Sequence, residues 1–429
     1  MFAARPVGPG FSPLDEELGL LPGALTPTLQ GHLSRLGSQL SFAAAARELG
    51  YLKGVRVAAT TARRRTEADG AVYAARQAAE AARVLAEAPL PPLGPPVQQV
   101  SVDGAMVGLV DGSWREVRTL AIGTIVPDRT PGLVRSVELS YFSRLCTAEQ
   151  FILAATGEMH RRGVETAGQV AFVVDGAEWE QRFADAHCPT ATRILDLPHA
   201  AQRLTDVAEA VWGTHTLGRT WAAAQRQALR EGPAEAVLEA IRALPLAAAP
   251  DPVAARDLQS TVLGYLEPRV EQMRYAAFRA LGLPSGSGIV ESANKHVVAA
   301  RLKGTGMRWS EAAITPMLAL CGALSSERWE EAWTQITHSR RQSRRRALPP
   351  PSSVPTPAAS AASVGPARPS IRQPPSAAIP RSGPKSIIDG RPTAAHPWKR
   401  GFPRQTAAPA KLCSAPNGRC LLDRSRSRA

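Results

Sequence analysis

Three acids occupy positions where a carboxylate has to be accounted for. Asp103 lies inside the apolar run SVDGAMV, Asp175 closes the run AFVVD, and Glu291 follows a PSGSG turn in GIVESANK. A charge among valines is costly unless a partner neutralises it. Hard oxygen donors that leave room for water suit Mg²⁺ or Mn²⁺. Two such ions, roughly 4 Å apart, activate water and stabilise the leaving oxygen of an in-line phosphoryl displacement. Glu291, Asn294, Lys295, Val298 and Leu302 recur at helical spacings of three and four, so they share one side of a helix. Lys295, with Lys303 and Arg308 beyond it, is placed to hold nucleic-acid phosphates beside such ions. Blander readings stand beside these. Asp103 alone also reads as a turn aspartate before Gly104, a glutamate on an amphipathic helix is by default solvated, and Asp111 competes for the role of first acid from a turn before Trp114.

The elements that must position these acids have a recognisable order. VQQVSVDGAMVGLV, WREVRTLAIGTIV and RSVELSYFSRL are rich in branched and aromatic residues and are separated by DGS and PDRTPG, which predicts three antiparallel strands. TAEQFILAATGEMHRRG predicts a helix capped by Thr147 and stopped at Gly163, and QVAFVVDGAEW a buried parallel strand ending in Asp175. A helix over AEWEQRFADAHC follows, then a strand in TATRILDLPHAAQRL that passes through Asp196 and His199 into a long helical region. Three antiparallel strands, then helix, strand, helix and strand, is the order of a ribonuclease H-like mixed sheet with helices on its faces. In that arrangement the first and fourth strands are neighbours, so Asp103 and Asp175 would face each other. Ligand sites gather outside the carboxyl ends of such strands.

The remaining chain divides around this body. Residues 31–90 read as a helical module after a lead-in over 1–30. SFAAAARELG predicts a helix that begins at a Ser cap and ends at Gly50, and a second helix from about 57–59 carries Arg63, Arg64 and Arg65, the arrangement of a helix-turn-helix DNA reader or of a plain helical hairpin. The break APLPPLGPP leads into a body over 97–338, and composition turns to Pro, Ser and Arg near Ala347. Residues 339–429 are expected to be a disordered basic tail. The net charge of +14 belongs to that tail: residues 340–429 carry +16 and the other 339 residues carry −2. The five cysteines lack metal-ligand spacing, which argues against a structural zinc site or a disulfide framework. No apolar run is long enough to suggest a membrane span or signal peptide, so a cytoplasmic protein is expected.

The strings SVDGAMV, WREVRTLAIG, VVDGAEW, LDLPHAAQRL and above all GLPSGSGIVESANKHVVAARLKGTGMRWSEAAITPML resemble insertion-sequence transposases with an Asp-Asp-Glu triad, of the ISKra type. The resemblance runs from about Phe11 to Trp333. It implies that Asp103, Asp175 and Glu291 are the catalytic, metal-ligating acids for two Mg²⁺ or Mn²⁺ ions, with Asp196 and His199 beside them. It also implies an all-helical insertion over about 205–282, and double-stranded DNA as partner, bound by a homodimer. A related nuclease without strand transfer, and a truncated copy that only binds DNA, remain alternatives at this point.

Overall fold

The computed structural model describes residues 25–347, together with a two-residue antiparallel ladder pairing Ile387–Ile388 with Arg391–Pro392. Five strands form one mixed sheet: β1 (Val97–Gly108), β2 (Trp114–Pro127), β3 (Val134–Leu145), β4 (Gln169–Val174) and β5 (Thr192–Leu195). Their spatial order is β3-β2-β1-β4-β5. The first three pair antiparallel, and β4 and β5 run parallel to β1. Short turns suffice for the antiparallel pairs, whereas each parallel step needs a crossover helix. These are α4 (Ala148–Arg161) and α5 (Glu178–His187). Thr147 caps α4 as expected, in a reciprocal pair with Gln150.

Alternation along the strands separates two cores. Val100, Val102, Phe172 and Val174 pack on Phe151 and Met159 of α4 and Phe183 of α5. The stacked rings of Phe172 and Phe183 lie 6.2 Å apart, and burying each such side chain contributes roughly 1.5–3 kcal/mol. The opposite face presents Ala105, Val107, Val117 and Ala121 to Val290, Val297 and Val298 of the helix that bears Glu291, and to Ile314 and Met317 of α13 (Glu311–Ser325). Between β5 and that helix lie α6 (Leu197–Trp212), α7 (Thr216–Glu231), α8 (Ala234–Arg242), α9 (Pro252–Leu266) and α10 (Tyr275–Ala280), the expected helical insertion. Its core of Val207, Leu229, Val237, Ile241 and Val262 is continuous with Ala171 and Val173 of β4.

The N-terminal helices are α1 (Pro27–Gln39), α2 (Phe42–Lys53) and α3 (Ala59–Glu87). Ser41 caps α2, but the helix does not end at Gly50. It runs to Lys53, where Gly54 at φ 68° supplies the left-handed residue that terminates it. The helix α3 runs unbroken through Gly70. A Cβ there would come within 2.3 Å of the Pro316 carbonyl, so the glycine lets α3 lie against α13. The last helix, α14 (Trp329–Ala347), corrects the expected start of the tail at 339. Arg340 reaches the fully buried Asp69 of α3 at 2.6 Å, and a buried carboxylate held by Ser34, Gln30 and an arginine fixes that stretch as helix. Apart from the ladder at 387–388 and 391–392, the rest of the expected tail lies outside the described residues, as do residues 1–24 of the lead-in. Of the cysteines, Cys146, Cys188 and Cys321 are free thiols, and none of the described helices is long and apolar enough to cross a membrane.

Candidate metal centre

Strand register brings three acids to one level. Val100 pairs with Phe172 in the parallel β1–β4 ladder, so three residues further on Asp103 stands level with Asp175. Val174 pairs with Leu195 in the β4–β5 ladder, which puts Asp196 on the next rung beside Asp175. Asp175 and Asp196 therefore stand at the carboxyl ends of β4 and β5, where open α/β sheets collect their ligands, and Asp103 lies midway along β1, just past its parallel pairing with β4.

Oxygens of Asp103, Asp175 and Glu180 lie within 4.8 Å of one another. Asp103 accepts from its neighbouring amide, Gly104 N, at 2.6 Å and from Asn294 Nδ2 at 2.6 Å. Burial, and then the charge of Asp175, push the Asp103 carboxyl up to about 6 against the donors that favour its anion. Asp175 closes a tight turn in which Gly176 adopts φ 91° and Ala177 N donates to the Asp175 carboxylate at 3.2 Å. Glu180, almost wholly buried, accepts from Gly176 N at 2.9 Å and Ala177 N at 3.0 Å. Desolvation, followed by the charge and hydrogen bond of Asp175, raises it to about 10. Glu180 was not among the acids expected from sequence.

A second set adjoins the first. Donor atoms of Asp196, His199 and Glu291 also lie within 4.8 Å of one another. Asp196 is fully buried and caps α6, accepting from His199 N at 2.9 Å, and it binds the imidazole Nδ1 at 2.7 Å. Its other oxygen accepts from Ser287 N at 2.6 Å, at the start of the glutamate helix. Asp196 thereby orients His199 and anchors the segment that carries Glu291. The imidazole is half exposed, and Asp196, which holds it, stands one rung past the Val174–Leu195 pair, beside Asp175.

Glu291 is exposed on α11 (Gly288–Ala293), and its Oε1 accepts from Ser287 Oγ at 3.3 Å. Asn294, one turn on, makes the bond to Asp103, so the helix docks on β1 through the residue that shares the glutamate's face. From Asn294 to Ala299 the chain widens into a π-helix, with Ala300 N donating to Lys295 O, before α12 (Ala300–Leu302) completes it. Such π turns concentrate at functional sites.

The donor set suits a hard divalent cation, with carboxylate oxygens predominating over one imidazole nitrogen. Two observations fit it: the oxygens of Asp103, Asp175 and Glu180 crowded within 4.8 Å of one another, and a buried Asn294 Oδ1 without a hydrogen-bond partner beside Asp103. The basic residues expected from sequence are more dispersed. Lys295 is exposed beside the centre, but Lys303 lies twelve residues past Glu291, roughly 18 Å along a helix, and Arg308 packs over the Trp114 ring at 5.2 Å. Arg63 and Arg64 are exposed near the start of α3, while Arg65 is half-buried and turned toward the field of Asp69. Asp111, the competing first acid, spends its carboxylate on Ser113 in an exposed turn, away from both sets. Comparison with protein families and with curated proteins finds no match for this chain.

Proposed function

We propose that the chain is a DNA transposase of ribonuclease H-like fold, a metal-dependent phosphodiester nuclease and strand transferase. The observation that carries this reading is the convergence of Asp103 and Asp175 on neighbouring parallel strands, just past the β1–β4 pairing, with the Glu291 helix docked on Asp103 through Asn294. In this reading Asp103, Asp175 and Glu291 hold two Mg²⁺ or Mn²⁺ ions. When bound, the ions supply an activated water or 3′-hydroxyl and neutralise charge at the scissile phosphate. The chain's own groups set the geometry. Asp196 fixes His199 and the start of the glutamate helix, Lys295 offers a phosphate contact beside the acids, and Arg63 and Arg64 present cations to a duplex on the exposed start of α3. Double-stranded DNA is the partner, and pairing of two DNA ends calls for a dimer on that DNA.

The test uses the full chain, Mg²⁺ and duplexes ending in the sequences that flank its gene. Nicking at the ends and joined products are expected, with a loss of about 10³-fold or more in Asp175→Ala, the loss of several kcal/mol of metal-borne stabilisation. Cleavage that persists in that variant sinks the assignment of the centre. Cutting without joined products on any sequence reassigns the chain to a nuclease of the same architecture.

A further inference from the structure

We propose that the helical insertion carries two positioning residues, Tyr265 and Arg269, which hold the Asp175 turn in ligating geometry; the proposal rests on the metal-centre reading above. The contacts fall on the backbone of the acid's own turn, some ninety residues distant in sequence. The Tyr265 hydroxyl donates to the Asp175 carbonyl. Arg269 Nη2 donates to the Gly176 carbonyl at 2.6 Å, and Nη1 donates to the Tyr265 carbonyl at 2.5 Å, so one guanidinium ties the end of α9 to the turn.

The fit is mutual. Gly176 holds φ 91°, and a Cβ there would meet Arg269 Nε at 2.6 Å, so the turn is shaped around the arginine. The guanidinium lies over the Tyr265 ring at 4.8 Å, with Arg203 over the same ring at 5.1 Å, which locks the phenol in place. The carbonyls of Asp175 and Gly176 sit between β4 and α5, past the Val174–Leu195 rung that ends the β4–β5 ladder, and the insertion supplies their donors. The same insertion repeats the device one strand over, where the Tyr275 hydroxyl donates at 2.8 Å to the carbonyl of Leu195, the residue before Asp196. A ligand held to a fraction of an ångström needs such support. The insertion therefore sets the direction of the Asp175 carboxylate toward Asp103 and does more than cover the sheet.

Mn²⁺ alone is the probe, titrated calorimetrically into the full chain without DNA. Wild type is expected to bind and Asp175→Ala to lose binding, while Tyr265→Phe and Arg269→Gln bind about tenfold more weakly with the fold retained by circular dichroism. Arg269→Lys keeps the charge but cannot span two carbonyls, and is expected to stay weak. Wild-type affinity in Tyr265→Phe and Arg269→Gln, with or without a lowered unfolding temperature, overturns the proposal, as does full restoration by Arg269→Lys. If wild type and Asp175→Ala bind alike, it is the metal-centre reading that falls, and the positioning role falls with it.

Discussion

Carboxylates in two parts of this molecule are treated in opposite ways. Glu158 of α4 is almost completely enclosed, yet its carboxyl is held below the usual range: burial alone would raise it, but Arg328 and Arg161 outweigh that. Asp103, Asp175 and Glu180 crowd together just past the β1–β4 pairing, and among the described residues no arginine or lysine forms an ion pair with any of them. There the carboxyls of Asp103 and Glu180 rise. An acid that serves the fold arrives with its cations built in, whereas the clustered acids are left short of positive charge. That deficit is what a divalent ion would fill.

The contrast can be broken from either side. The largest effect is expected at Glu158→Gln, which strands two guanidinium groups around a neutral amide and should cost about 3–5 kcal/mol in denaturant melts. A change below 1 kcal/mol would mean that the arginines are satisfied elsewhere. Next, Mg²⁺ at a hundredfold excess over its dissociation constant should stabilise wild type by about 2.7 kcal/mol, and Asp103→Asn should abolish that gain while raising the midpoint of the metal-free chain. The smallest effect is on pH. Because the folded state raises the Asp103 carboxyl from 3.8 to about 6, its contribution is present below 3.8 and lost as pH rises through that window. For a half-buried group the loss is of the order of 1 kcal/mol after screening. It is read as the difference between wild type and Asp103→Asn in melts with chelator at pH 4 and 6.5, and should disappear on adding Mg²⁺. Glu158 has the opposite sign, its contribution being lost as pH falls.

Much of this arrangement is legible in the chain itself, because strand period and turn chemistry are local. The strands bearing Asp103 and Asp175, the cap at Thr147 and the helix after PSGSG all follow from neighbours a few residues away. What escaped depends on distance. Glu180 follows an alanine at the position before the helix, so no Ser or Thr capping signature drew attention to it, and its role becomes visible only when Asp175 folds back beside it. Tyr265 and Arg269 read as ordinary helix surface until the insertion meets the turn. Gly50 looked like the end of α2, but the left-handed residue that ends it is Gly54, and Arg340 looked like tail because its partner lies on α3.

The helix α3 has a consequence for how force travels. Its 29 residues make an unbroken rod of about 43 Å, with Arg63 and Arg64 near one end. Further along, Gly70 is seated on Pro316 and Ala81 lies against Gly157 of α4. A rod seated at both points has no joint. The exposed arginine end of the rod is thereby tied to α13, which packs on one face of the sheet, and to α4, which packs on the other.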